Sequence, residues 1–516
     1  MAGSRLTPLS KILIVAAIVG AAYYLLMQLR KPAVKEKINE VTAAATNSKT
    51  KDGYKDAINI GVVTWGGYAG GQYFNEGFKA NTNSRFYKDY GFKVNFKVID
   101  DFDASRDAFK NGDIDLMWAT IDAFPTEVEG LAQYQPQVVF QADWSRGGDA
   151  IVARRGISKV SDLKGKKIAV APMTPSHSFL IWLLEAGDIS TKQVKIVEVP
   201  SAIDAADAFK SGTVDAAVVW SPDDADCVNK VAGSRVLEST KNATHIIADV
   251  FIAKKDFVEK NKEQLKDLYE GWMIGASELN SSDANKRKAA KILAEGLSQP
   301  EDFCYDAINN VRLATHGDNL NFFGLNQSYN GVTGEDLYNK MKVKYNNLGY
   351  NTSGAKSWRL LSTKDLVSKT KSLSGANHTA EKQKQFTAVN EEIAKKESLS
   401  SKKVSITFRT GEYLLSENAK QLIDVQFTPI ARAFANARIR IEGNTDNVGG
   451  RSSNIALSKK RANSVAQYLI SEHNMPTNRF IIVGNGPDKP VPGCEANQNA
   501  NCKAKNRRTD FELVID

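Results

Sequence analysis

The chain has 516 residues, of which 42% are hydrophobic and 25% charged, and a formal net charge of +9. The length is too great for one ordinary domain and predicts about three units, while the composition excludes a mainly disordered chain. Most of the charge sits at one end: residues 401–516 hold 17 Lys and Arg against 11 Asp and Glu, an excess of 6. That bias suits an acidic polymer such as cell wall, and no aromatic-interleaved basic motif points to nucleic acid.

Residues 12–29 (ILIVAAIVGAAYYLLMQL) carry no charge and are flanked by Arg5, Lys11, Arg30 and Lys31. The run is just long enough to span a bilayer. It continues through Tyr23, Tyr24, Leu25, Leu26 and Met27, past the small residues Ala21 and Ala22 where a signal peptidase would cut. The reading is therefore a retained N-terminal transmembrane anchor over residues 1–30, with a cleaved signal peptide as the alternative. Basic residues on both flanks leave the orientation open. Residues 31–56, polar, charged and small, read as a linker.

Residues 57–350 alternate two patterns. Apolar, β-branched runs at 57–65, 93–99, 113–120, 137–145, 167–172, 195–200 and 215–222 are separated by helical segments. This predicts an α/β fold with parallel sheets and crossover helices. The phrase DAFKNGDIDLMWA begins at Asp107 and a close copy, DAFKSGTVDAAVVW, at Asp207. In each copy a helix capped by Asp103 or Ser201 ends at Gly112 or Gly212, and a strand starts at Asp115 or Asp215. A period of about one hundred residues is too long for a solenoid, so the same unit is expected in each of two lobes.

Doubly wound lobes hold a ligand at the carboxyl ends of their strands. The residues found there are Trp65, Gly66, Gly67 and Tyr68 after the first run, Thr120 and Asp122 after the third, Ser145 after the fourth, and Trp220 in the second copy. Any single aromatic among them fits an ordinary core equally well. In MTPSHSFLIWLLEAGD, Thr174 is the expected N-cap and Pro175 the first helical residue, which turns free N–H groups, Ser176 and His177 toward an anion. An ordinary buried cap fits the same residues. No phosphate loop, H-E-x-x-H or G-x-G-x-x-G spacing occurs, and five scattered histidines assemble no metal cluster or triad. Binding without a cofactor, rather than catalysis, is expected.

INIGVVTWGGYAGG, DAFKNGDIDLMWA, VSDLKGKKIAVAP and FKSGTVDAAVVWSP together make residues 57–350 resemble the periplasmic substrate-binding proteins of the nitrate, sulfonate, taurine and thiamine-precursor group. The resemblance implies a type II two-lobed fold that closes about a hinge on a small anionic or zwitterionic ligand and delivers it to an ABC transporter permease. Some members make a thiamine pyrimidine with a cysteine-rich motif, which this chain lacks.

Residues 351–400 are rich in Ser, Lys, Thr and Gln, with Phe386, Val389 and Ile393 as sparse apolar positions, and read as a second linker. Residues 401–516 return to dense pattern. VSITF (404–408), a helix bearing Leu422, Ile423, Phe427, Ile430 and Phe434, then ARIRIEG, a second helix, RFIIVGNG and TDFELVID predict a β-α-β-α-β-β order. Ala462, Val465, Ala466, Leu469 and Ile470 form the core stripe of the second helix, with Arg461 at its edge.

EGNTDNVGGRSSNIALSKKRANSV and the strand NRRTDFEL resemble the OmpA C-terminal-like peptidoglycan-binding domain. The resemblance implies that Asp446 and Arg461 grip the diaminopimelate of the wall peptide, the carboxylate taking its ammonium and the guanidinium its carboxylate. Asn454 and Arg507 would shape the pocket. The family usually has His before T-D, where this chain has Asn444. Motor stators share this domain and an N-terminal span, but they need an intramembrane carboxylate, and residues 12–29 contain none.

Cys494 and Cys502 stand in the loop VPGCEANQNANCKAKN. A zinc site would need two further ligands, and only His473 is remotely available, so a disulfide and an oxidising compartment are the better reading. Cys227 and Cys304 are left either paired or single. The expected protein is anchored in the inner membrane and faces the periplasm; signal cleavage would leave it periplasmic or associated with the outer membrane. Ligand capture competes with a structural envelope linker whose lobes bind another protein.

Overall fold

The computed structural model describes residues 50–404, 406, 408 and 411–516. The expected anchor at 12–29 lies outside them, and among the described residues no helix is long and apolar enough to cross a membrane. Residues 55–516 form one compact unit.

That unit holds two lobes and a C-terminal domain. The first lobe opens with β1 (Ala57–Val62), β2 (Lys93–Val98), β3 (Leu116–Thr120) and β4 (Pro136–Ser145). The chain then crosses into the second lobe, β5 (Asp149–Ala153), β6 (Lys167–Val170), β7 (Lys195–Glu198), β8 (Ala216–Trp220) and β9 (Arg235–Ser239), and returns through residues 240–247 to β10 (Ala248–Lys254) and β11 (Val311–Leu313). The sheet orders are β11-β4-β10-β3-β1-β2 and β7-β6-β8-β5-β9. Fully buried Ile58, Ile60 and Val62 fill one face of β1, and Ile151, Val152, Val218 and Val219 fill the second sheet.

The sheets are mixed rather than parallel. β2, β1 and β3 run parallel, as do β7, β6 and β8, but β10 is antiparallel to β3 and β5 antiparallel to β8. Each of these reversed strands follows a crossing between lobes. The chain enters the new lobe at the cleft, so its first strand must run away from the cleft while its neighbours run toward it.

The duplicated phrase makes the same structure twice. Helices α1 (Phe102–Asn111), α2 (Pro175–Ala186) and α3 (Ala202–Lys210) are the ones used below. α1 and α3 end beside Gly112 and Gly212, with φ of 82° and 89°, a backbone that glycine adopts without penalty. Asp115 and Asp215 then act alike: each donates its N–H to the first residues of the neighbouring strand, at Asn59 O (2.8 Å) and Lys167 O (2.9 Å). Each carboxylate accepts the N–H of that same residue, Asn59 or Lys167, at 2.8 Å. The strands begin one residue later than the repeat suggests because these aspartates clamp the sheet edge. Ser201 caps α3, but α1 is capped by Asp101 rather than Asp103, which falls inside its first turn.

Helix α4 (Gly334–Asn347) reaches the second lobe, where Lys340 and Lys344 each lie 3.1 Å from the Glu185 carboxylate at the end of α2.

The C-terminal domain is a four-stranded sheet, ordered β12-β15-β13-β14. Its strands are β12 (Ser398–Val404), β13 (Arg438–Asn444), β14 (Phe480–Gly486) and β15 (Thr509–Val514). The first strand, expected at 404–408, is described over Ser398–Val404, and residues 405 and 407 of the expected run lie outside the described residues. Its polar sequence, SLSSKKV, pairs along β15 at the sheet edge, where only alternate residues need burial. The first helix is likewise two, α5 (Glu417–Gln426) and α6 (Thr428–Ala433). Pro429 lacks an N–H and restarts the helix, and Phe427 at the break stacks on Phe511 with centroids 3.9 Å apart. α7 (Arg451–His473) buries Ala462, Val465, Ala466 and Leu469 and leaves Ile470 half-buried. Cys494 and Cys502 form a disulfide, whereas Cys227 and Cys304 are buried singly as free thiols.

Candidate functional site

Two places gather chemistry, the cleft between the lobes and the loop side of the C-terminal sheet. The cleft is shut. Phe102 at the start of α1 stacks against Trp220 at the end of β8 with centroids 6.3 Å apart. Asn310 donates from Nδ2 to Ser221 Oγ at 3.0 Å, and Ser178 of α2 bonds Tyr345 of α4 at 2.8 Å.

Inside, the expected residues take specific partners. Trp65 donates from Nε1 to Asp143 at 3.0 Å, and its ring lies against Gly148 so closely that a Cβ there would sit 2.0 Å from it. A Cβ on Gly67 would sit 1.3 Å from Asp143 Oδ2. A Cβ on Gly66 would sit 2.3 Å from the backbone of Ala307. Tyr68 donates to Asp249 at 2.5 Å, and Thr120 is paired with Asp249 across β3 and β10. Ser145 donates to Asp149 at 2.7 Å.

Sequence reasoning singled out Asp122 and missed Asp143, Asp149 and Asp249. All four are at most 4% exposed. Burial pushes the Asp122 carboxyl up to about 8 and those of Asp149 and Asp249 up to about 7. Burial and the adjacent Asp249 charge hold Asp143 well above the usual carboxylate range. A legible signal was there: QVVFQADWS and HIIADVFIAK each place one Asp inside an apolar strand run, where an acid must have a reason to be.

The start of α2 is less open to an anion than the sequence suggested. Thr174 does not cap the helix; its hydroxyl turns back to Ala171 O at 2.8 Å. His177 accepts the Met173 N–H at 3.2 Å on Nδ1, and burial pulls its pKa down to about 4, so at neutral pH it brings no positive charge. Ser176 is fully buried and its hydroxyl has no hydrogen-bond partner.

At the C-terminal sheet, β13 ends at Asn444, whose side chain donates to Asp510 at 3.1 Å. Asp446 accepts from the Val448 N–H at 3.1 Å and pairs with Arg507 at 2.6 Å. Asn454 on α7 fixes the same turn through Val448 O at 3.0 Å. Arg461, about two turns further on and 5% exposed, donates from Nε to Glu412 O at 3.0 Å, with its guanidinium 4.8 Å from the Phe408 ring. Burial and the Arg507 charge lower its pKa, while the Asp446 charge opposes them. Asp446, Asn454, Arg461 and Arg507 thus surround one turn, and the direct ion pair is Asp446 with Arg507 rather than Asp446 with Arg461. A second such carboxylate pair, Arg508 with Asp510 at 2.9 Å, backs the strand behind them.

Residues 56–294 match the NMT1-like family and residues 407–507 the OmpA family. The taurine-binding periplasmic protein of Escherichia coli is 31% identical over 192 residues, which cover 36% of this chain and 58% of that protein. The peptidoglycan-associated lipoprotein of Rhizobium meliloti is 34% identical over 103 residues, 20% of this chain and 56% of its own length. The chain thus spans somewhat over half of each of these relatives. The periplasmic aliphatic sulphonate binding protein SsuA of Escherichia coli superposes with a TM-score of 0.47 at 18% identity, covering 61% of this chain and 99% of that one.

Proposed function

We propose that this chain, which joins an NMT1-like domain to an OmpA-family domain, captures a small solute between its lobes while its C-terminal domain holds peptidoglycan. The observation that carries this reading is the shut cleft, in which Trp65, Tyr68, Thr120 and Ser145 of one lobe face Asp149 and Trp220 of the other. Polar groups converge there from both lobes and are buried by closure, the arrangement by which a two-lobed binder surrounds its ligand. Delivery to an ABC-type permease and attachment to the inner membrane belong to the same reading. At the wall, Asp446 would take the ammonium of a diaminopimelate side chain and Arg461 its carboxylate, with Arg507 releasing Asp446 as the ligand enters. The curated relatives named for binding, to taurine and to peptidoglycan, support binding over catalysis at both sites.

Thermal unfolding of the full chain against a panel of small solutes tests capture. A ligand at a hundredfold over its dissociation constant adds about 2.7 kcal/mol. A raised midpoint with any solute supports the reading, and a flat response to the whole panel counts against it.

A further inference from the structure

We propose that the cavity at the junction of the lobes and the C-terminal domain binds a small organic carboxylate, held by Arg432 and Arg479 and packed against the rings around them. The inference does not rest on the capture reading, because none of the cleft residues described above lines this cavity.

The cavity holds about 100 Å³. That is several times the space one water needs, and enough for a molecule of a few heavy atoms. Arg146 of the first crossover and Thr244 and His245 of the second face Phe386, Arg432 and Arg479 of the C-terminal side across it. Trp144, Phe322 and Tyr329 complete an aromatic wall.

Its charges do not balance. Two carboxylates line it, Asp318 and Glu381, and each already has an arginine, Arg312 at 3.1 Å and Arg146 at 2.6 Å. Lys384 pairs with Asp516 at 3.2 Å. Arg432 and Arg479 pair with no carboxylate among the described residues. Arg479 is 3% exposed, and its Nε donates to Ala437 O at 2.8 Å while Nη2 donates to Ala431 O and Phe434 O at 2.7 and 2.8 Å. Those carbonyls fix the guanidinium but carry no net charge, and Nη1 meets the Met475 sulfur at 3.8 Å, a weak acceptor. Burial pulls the Arg479 pKa down to about 9, so it is still charged at neutral pH. Arg432 Nη2 lies 3.2 Å from His473 Nδ1, and its Nε is buried without a hydrogen-bond partner. A buried cation without its counter-charge and a buried donor without an acceptor are both costly. An anion in the cavity would relieve the two together.

The walls say which kind of anion. Loss of water and the charges of Arg146 and Arg479 hold the His245 pKa well below its usual value, so at neutral pH this ring adds surface rather than charge. It meets Trp144 edge-on with centroids 4.9 Å apart. Lys384 and Arg479 stand 4.9 and 5.9 Å from the centre of the Phe386 ring, which places charge and apolar surface side by side. A guanidinium offers a carboxylate two parallel N–H bonds, and the rings take the carbon end. An inorganic anion would satisfy the charge and leave the rings uncovered. Because its walls come from both crossovers and from the C-terminal domain, a filled cavity would hold that domain onto the connections between the lobes.

The test is calorimetric titration of the full chain with propionate, phosphate, propionamide and propylammonium at constant ionic strength. Propionate should bind, more tightly than phosphate, and the amide and the ammonium should not. Arg432→Gln should weaken propionate about tenfold or more. Glu381→Gln should act the opposite way and tighten it, since Arg146 is then released to the cavity; general damage to the junction would lower the affinity instead. Propionate affinity unchanged in Arg432→Gln would place the binding elsewhere, the cleft included, and would overturn this inference while leaving capture untouched. Weaker binding in Glu381→Gln would overturn the charge argument. Phosphate binding more tightly than propionate, or propionamide binding as tightly, would overturn the assignment of an organic carboxylate, and so would no binding of propionate at all.

Discussion

Arg146 and Glu381 form an ion pair at 2.6 Å that fastens the first crossover between the lobes to the segment leading into the C-terminal domain. Arg146 also donates to Thr244 O in the second crossover. Beside it, the His245 N–H donates to Ala433 O at 3.1 Å and Asn436 Nδ2 donates to Lys241 O at 2.8 Å. The C-terminal domain is therefore seated on both connections about which the lobes would turn. A pocket at this junction, walled by Trp144, Tyr329, Phe386, Arg432 and His473, separates the two domains elsewhere.

Arg146→Ala removes the ion pair and the bond between the crossovers, a loss of about 1–3 kcal/mol. Scanning calorimetry of the full chain should show the C-terminal domain and the lobes melting further apart than in the unaltered protein. Superimposable traces would mean that the contact does not couple them.

Asp115→Ala and Asp215→Ala should each cost their lobe about 0.5–1.5 kcal/mol, since each removes the carboxylate bond to one strand N–H, part-buried at Asn59 and exposed at Lys167. Hydrogen exchange distinguishes them: protection should fall in β1 and β3 for the first and in β6 and β8 for the second. A loss spread evenly over both lobes would contradict the independent clamps seen in the two sheets.

The cleft carboxyls give a pH dependence with a definite sign. Their pKa values are raised in the folded state, so the stability they contribute is complete below the unfolded value of about 4 and is lost as pH rises through about 7 to 8. The groups facing Asp122 are Ser178, Asp149, Asp249 and Tyr345, with Asp143 and Arg106 beside Asp249. Asp122→Asn should gain on the unaltered, ligand-free protein from about pH 4 to about pH 8 and then hold its advantage. Melting curves across that range check this; a constant difference would show that Asp122 does not titrate there.

For the wall, Asp446→Ala and Arg461→Ala should each lower co-sedimentation with purified peptidoglycan at least tenfold, about 1.4 kcal/mol. Arg507→Ala should act in the other direction on Asp446, freeing its carboxylate, and so should reduce binding less than Arg461→Ala. Equal retention by Asp446→Ala and Arg461→Ala would remove the turn as the binding site.

The lobes were legible because their signal is local. A helix of period 3.6 ending in a glycine and a strand of buried branched residues announce themselves within a dozen positions, and DAFKNGDIDLMWA shows this twice. The reversed strands β5 and β10 were missed because their direction depends on where the chain crosses between lobes, which no local pattern records. The break at Phe427 was hidden for a similar reason: the apolar spacing of Ile423, Phe427 and Ile430 continues through Pro429 as though one helix ran on.

The sequence by itself determined the α/β class of the lobes, the doubling of the βαβ unit and the Cys494 to Cys502 disulfide, because spacing along the chain carries each of them, and its resemblance to the OmpA C-terminal-like domain pointed to the residues around the T-D turn. Only the tertiary structure decided that Asp446 pairs with Arg507, that Asp122, Asp143, Asp149 and Asp249 share one shut cleft, and that the C-terminal domain rests on the crossovers. Those facts join residues from tens to hundreds of positions apart. Their energetic meaning, a buried carboxyl or a fastened hinge, exists only once folding has removed the water between them.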